Sequence, residues 1–122
     1  MASKKILIID DNQPLHELYK DFFEHMGYQA DTANNGSEGV EKYCAVKPDI
    51  VLMDIHMPVM NGYESSSKIK LFDPKAKILM ITGFPLDPLA KKSLDEVHVI
   101  SVLNKPCDLQ TLFHKVSSTL SV

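Results

Sequence analysis

The chain has 122 residues, enough for one compact domain, and its 44% hydrophobic and 24% charged residues are the balance of a chain that buries a core. Apolar runs recur throughout, which excludes intrinsic disorder. Thirteen basic against sixteen acidic side chains leave a net charge of −3, the wrong sign for a non-specific nucleic-acid binder.

Lys5 to Ile9 is a short apolar run that stops at Asp10 and Asp11, as a buried strand does. Leu15, Leu18, Tyr19, Phe22, Phe23 and Met26 then recur at helical spacing, with Pro14 near the start and Gly27 just past the end. Tyr28 to Ala33 reads as a second strand. Asn35 with Glu38 has the capping-box spacing and opens a helix through Val40, Tyr43 and Cys44. Asp49 to Met53 is the third strand, ending at Asp54. Asn61 and Glu64 repeat the capping pattern before a helix to about Leu71, with Ile69 as its apolar contact.

Lys77 to Ile81 is the fourth strand, ending at Thr82 and Gly83. Leu86 to Leu94 is read as a helix weakened by Pro85 and Pro88. Val97 to Leu103 is read as the fifth strand, followed by Asn104, Lys105 and Pro106. Asp108 caps a last helix with the stripe Leu109, Leu112, Phe113, Val116 and Leu120.

Five apolar strands alternating with five helices indicate an α/β domain with a mainly parallel sheet covered on both faces. Right-handed crossovers restrict it to doubly wound topologies. Ligands of such sheets bind beyond the carboxyl ends of the strands, so Asp10, Asp11, Asp54, Thr82, Gly83 and Lys105 are the positions to read for chemistry. Each acid taken alone has an ordinary explanation, as a helix-start or strand-end residue. Capping does not explain an acid pair, a third Asp, a Thr and a Lys at the strand ends of one edge. Three carboxylates there repel one another, and Lys105 supplies a single cation. A hard divalent ion such as Mg2+ would offset the rest and take a phosphoryl oxygen. A carboxylate acceptor, a hydroxyl donor and an ammonium together suit phosphoryl transfer.

These residues resemble the receiver domains of two-component response regulators over nearly the whole chain. The resemblance rests on Asp10-Asp11, on the segment Asp54-Ile55-His56-Met57-Pro58-Val59-Met60-Asn61-Gly62, on Thr82-Gly83 and on Lys105-Pro106. It implies a flavodoxin-like, five-stranded parallel sheet in the order 2-1-3-4-5 with five helices on two faces. It implies that Asp54 is the phosphoacceptor, served by a sensor histidine kinase or a histidine phosphotransfer protein. Asp10, Asp11, Asp54 and the main-chain carbonyl of His56 are the implied Mg2+ ligands. Thr82 is similar to the switch hydroxyl, and Lys105 to the lysine that contacts a phosphoryl oxygen. A cis Lys105–Pro106 peptide is also implied.

His56 and Phe84, two residues beyond Asp54 and Thr82, are expected to flank the phosphoryl group and govern attack by water. Two positions depart from the pattern. Val102 stands where receivers carry Tyr or Phe, and Glu96, Val97 and His98 replace a Gly-Ala pair. Val102 is short and stiff about χ1, so the active state is expected to be read from the Gly83–Asp87 loop and the helix behind it.

The expected function is a phospho-switch over residues 1–122, without a separate output domain. It is expected to signal by contact with a downstream protein, not to be an enzyme in its own right, and to be a monomer or weak dimer. Alternatives within the fold are a receiver excised from a hybrid kinase or transcription factor, or a phosphorelay intermediate. A flavodoxin-like cofactor binder would need a phosphate cradle where Asp10-Asp11-Asn12 stand, and an aspartate-nucleophile phosphatase would carry D-x-D rather than Asp54-Ile55-His56.

No apolar stretch approaches the ~18 residues of a membrane span. Met1 to Lys5 lack the features of a secretory signal, so a cytoplasmic location without membrane attachment is expected. Cys44 and Cys107 fit neither a disulfide framework nor a zinc site. His16, His25, His56, His98 and His114 show no ligand spacing and are assigned to the surface or to helix faces. Ser65, Ser66 and Ser67 have no assigned role.

Overall fold

The computed structural model describes residues 3–84 and 86–121. The chain runs β1 (Lys5–Ile9), α1 (Gln13–His25), β2 (Gln29–Ala33), α2 (Gly36–Val46), β3 (Ile50–Asp54), α3 (Gly62–Phe72), β4 (Ile78–Thr82), α4 (Pro88–Lys92), a π-helical turn (Ser93–Val97), β5 (Ser101–Asn104) and α5 (Leu109–Leu120). The strands form one sheet in the order β2-β1-β3-β4-β5, all pairings parallel. The flavodoxin-like, doubly wound fold expected from the sequence is thus the fold observed.

Period-2 alternation splits the strand side chains between two cores. Leu7, Ile9, Val51, Met53, Ile78 and Met80 face Tyr43 of α2, Ile69 of α3 and Ala90 of α4. Ile6, Ile8, Ile50, Leu52, Leu79 and Ile81 face Tyr19 and Phe23 of α1 and Leu112 and Val116 of α5. With both faces covered, β3 and β4 read as unbroken apolar runs and are buried along their whole length. Each long helix starts at a side-chain cap: Asn12, Asn35, Asn61 and Asp108 accept from the backbone amides of Leu15, Glu38, Glu64 and Thr111.

Several expectations are corrected here. The fifth strand begins at Ser101, not Val97. Val97 and Val99 are buried, but Val97 closes the π turn and His98 is left-handed at φ 61°, which breaks extended geometry. Two alternating valines therefore mimicked a strand period. The fourth helix starts at Pro88 rather than Leu86, which is fully exposed at φ 55°. Pro88 fills the first helical position, where its missing N–H costs nothing. The breaking effect assigned to Pro85 lies outside the described residues.

On α1, Leu18 and Met26 of the apolar stripe are exposed, and His16 is buried instead. Its Nδ1 donates to the Asp10 carbonyl at 2.9 Å, tying α1 to the end of β1. The serine run also finds a role. Ser65 and Ser66 are fully buried, and Ser65 Oγ donates to the Gly36 carbonyl at 2.9 Å, so small residues let α3 approach α2 closely.

Candidate functional site

The carboxyl ends of β1, β3, β4 and β5 converge on one pocket. Asp10 follows β1 and is held by a turn in which its Oδ1 accepts from Asn12 N at 2.9 Å. Asn12, not Asp10 or Asp11, caps α1, so neither acid is consumed by that task. Asp54 ends β3, where the chain turns back sharply: Gly62 N donates to the Ile55 carbonyl at 2.6 Å. A Cβ on Gly62 would lie 2.4 Å from the Asp54 carbonyl oxygen, so only glycine fits there. Asn61 closes a full capping box with Glu64. The Asn-Gly pair thus starts α3 against the backbone of the very strand that presents Asp54.

Asp10, Asp11 and Asp54 each offer a carboxylate oxygen within 4.8 Å of the others, with Asp11 exposed and the other two buried. Lys105 follows β5, anchored by its amide to the Thr82 carbonyl at 2.8 Å, and the Lys105–Pro106 peptide is cis. Its Nζ lies 3.3 Å from Asp54 Oδ1 and 3.5 Å from Asp10 Oδ2. Among the described residues it is the only cation paired with the cluster. Burial, and then the charge of Asp10, push the Asp54 carboxyl up to about 6 against the pull of Lys105. Three hard oxygen donors with one compensating ammonium are a donor set that fits Mg2+.

A model of the response regulator receiver domain matches residues 6–117. The chain belongs to the response regulator receiver family. It is 34% identical over 119 residues to the chemotaxis protein CheY of Halobacterium salinarum, covering 98% of both chains. It is 32% identical over 121 residues to the autoinducer 1 sensor kinase/phosphatase LuxN of Vibrio campbellii, covering 98% of this chain and 14% of that protein. The structure superposes on the CheX-CheY-BeF3-Mg+2 complex from Borrelia burgdorferi with a TM-score of 0.88 and 32% identity, covering 96% of this chain and 89% of that one. Phosphoryl acceptance is typical of receivers, which bind Mg2+ at an acidic pocket, and Asp10, Asp11 and Asp54 form such a cluster. The family is a signalling switch of two-component systems. No described helix is long and apolar enough to cross a membrane.

On the far side of this receiver's pocket, Thr82 is buried at the end of β4 and donates its hydroxyl to Asp87 Oδ2 at 2.7 Å. The Phe84 amide donates to the same hydroxyl oxygen at 3.1 Å. His56 Nε2 also donates to Asp87 Oδ2, at 2.7 Å, and its ring meets the exposed Phe84 ring edge-on at 4.8 Å. Burial pushes the Asp87 carboxyl up, but hydrogen bonds from Thr82, His56 and the Leu89 amide outweigh it and hold the group below the usual carboxylate range. Val102 lies on β5 beside Met80, half-buried, and lines a groove of about 590 Å3 together with Phe84, Leu94 and Asn104.

The structure therefore clusters Asp10, Asp11 and Asp54, pairs Lys105 with Asp10 and Asp54, and links Thr82 to His56 through Asp87, with Phe84 against both. Sequence reasoning missed Asp87 and the burial of His16. Asp87-Pro88 carries the signature of a helix cap followed by proline at the first helical position, which would have located the residue but not its partners.

Proposed function

We propose that Asp54 is the phosphoacceptor of this receiver. The observation that carries this reading is the contact of Lys105 Nζ with both Asp54 and Asp10, inside a cluster whose three carboxylates lie within 4.8 Å. A carboxylate oxygen of Asp54 attacks the phosphorus of a phosphohistidine on a sensor kinase or histidine phosphotransfer protein. The P–N bond breaks, its electron pair returns to the imidazole, and an acyl phosphate remains on Asp54. Asp10, Asp11, Asp54 and the main-chain carbonyl of His56 would hold Mg2+, which supplies positive charge for the entering phosphoryl oxygens. Lys105 neutralises a further oxygen, and Thr82 donates its hydroxyl to another. His56 and Phe84 border the approach of water.

Residues 1–122 act as a cytoplasmic receiver that passes on its state by protein contact. Partners read the Gly83–Asp87 loop, α4, β5 and α5, because Val102 has no ring to move. The likeness to one segment of the LuxN kinase supports a second reading, a receiver working within a longer kinase or relay; the mass of the native protein in its source cell separates the two.

Acetyl phosphate with Mg2+, followed by borohydride reduction and mass spectrometry, tests the assignment. The label should sit on Asp54 alone and vanish in Asp54→Asn. A label that persists in that variant places the acceptor elsewhere.

A further inference from the structure

Asp87 is buried beside the pocket, yet the chemistry above gives it no task. One oxygen, Oδ1, caps α4 by accepting from the Leu89 amide at 3.0 Å. Capping needs no more than that. The second oxygen accepts from two side chains of the pocket, Thr82 Oγ1 and His56 Nε2, each at 2.7 Å. An ionised carboxylate only accepts, so both partners spend a hydrogen on it. A threonine hydroxyl has a single hydrogen. While Thr82 donates it to Asp87, none is left for a phosphoryl oxygen on Asp54.

We propose that Asp87 is a positioning residue that holds the Thr82 hydroxyl and the His56 ring off the acceptor, so that phosphorylation must break the Thr82–Asp87 hydrogen bond and loosens the start of α4 as it does so. The inference rests on Asp54 being the acceptor. Two anions, the Asp87 carboxylate and the phosphoryl group, compete for one hydroxyl hydrogen, and both bonds are charge-assisted. When Thr82 turns, the Phe84 amide also loses its acceptor. The rearrangement therefore reaches the 83–87 loop and the cap of α4 directly, by a route that does not pass through Val102. A ligand shifts a conformational equilibrium only through contacts that differ between the two states, and the bond from Thr82 to Asp87 is such a contact.

Asp87→Asn separates the two tasks. Asparagine caps helices as well as aspartate, but with its Oδ1 on the Leu89 amide the atom that faces Thr82 and His56 is Nδ2, which donates and cannot accept. Two readouts are needed: side-chain three-bond couplings of Thr82 in the free protein, and an NMR titration with beryllofluoride plus Mg2+. Amide exchange of Leu89 serves as the control for the cap. In the parent, Thr82 should occupy one χ1 rotamer. In Asp87→Asn its couplings should average while Leu89 protection is kept, and half-saturation should come at roughly fivefold lower beryllofluoride. Parent-like couplings or an unchanged half-saturation in that variant overturn the proposal. If the parent does not respond to beryllofluoride, or Asp54→Asn responds equally, the acceptor assignment fails on its own. The Thr82 couplings then decide the role of Asp87: averaging in the variant keeps it, and identity with the parent removes it.

Discussion

Asp54 and Asp87 are both buried carboxylates at the carboxyl edge of the same sheet, and their surroundings drive them in opposite directions. Asp54 faces Asp10 and shares a single lysine with it, so its carboxyl is pushed up to about 6. Asp87 collects three hydrogen-bond donors, and its carboxyl is held below the usual range despite its burial. Burial is common to both; the supply of donors and of neighbouring charge is not. An under-compensated acid is reactive, available to a metal and to phosphorus. A fully satisfied one is structural and keeps its partners in place.

Mg2+ should act on one side of this contrast only. At a hundredfold excess over its dissociation constant it should stabilise the parent by about 3 kcal/mol through mass action. Thermal melts should show that gain in the parent and in Asp87→Asn, and lose most of it in Asp11→Ala. An equal shift in all three proteins would dissociate the ion from the acidic cluster.

The next effect runs against intuition for a functional residue. A carboxyl whose pKa is raised on folding contributes stability below its unfolded value near 4 and loses it as pH rises through about 6. Without Mg2+, Asp54→Asn should therefore be more stable than the parent at pH 7.5, by on the order of 2 kcal/mol. Denaturant melts should show the gain shrinking toward pH 4. A variant that is no more stable at pH 7.5 would mean that Lys105 fully offsets the burial of Asp54.

Asp87→Asn should behave in the opposite sense. A carboxyl lowered on folding contributes stability above its unfolded value and loses it as pH falls through the folded one. The variant should be less stable at pH 7.5 by about 1 kcal/mol, because Thr82 and His56 lose the acceptor they share. The same melts should show that difference closing in acid. If it persists unchanged at pH 3, the loss is one of packing.

The smallest effect is kinetic. Phe84 is exposed, with its ring against His56, and it has no group to orient water. Phe84→Ala should speed the decay of phosphorylated Asp54 about fivefold, a barrier change near 1 kcal/mol. Phe84→Glu should speed it as well. Decay followed by loss of the radioactive phosphoryl label would show this, and equal rates in all three proteins would remove Phe84 from the path of water.

The pattern of strands and helices, and the half of the pocket around Asp54, were legible in the sequence because they follow from local order. Period-2 and helical spacing, three capping side chains and the abrupt ends of apolar runs place Asp10, Asp11, Asp54, Thr82 and Lys105 at one edge. The Asn61-Gly62 pair belongs with them, since its cap and its missing Cβ serve the strand a few residues before it. What the tertiary structure alone decided is which polar atoms meet. His56 lies 31 residues from Asp87 in sequence and hydrogen-bonds to it, while His16 is buried on the face of α1 that carries Tyr19 and Phe23, and Leu18 of the expected stripe is exposed. Val97 and Val99 are buried at the end of a π turn and in the irregular segment after it instead of in a strand, because burial can be satisfied by either geometry. Spacing records where the backbone turns; the sharing of one hydrogen between two acceptors depends on distances that exist only once the sheet has closed around them.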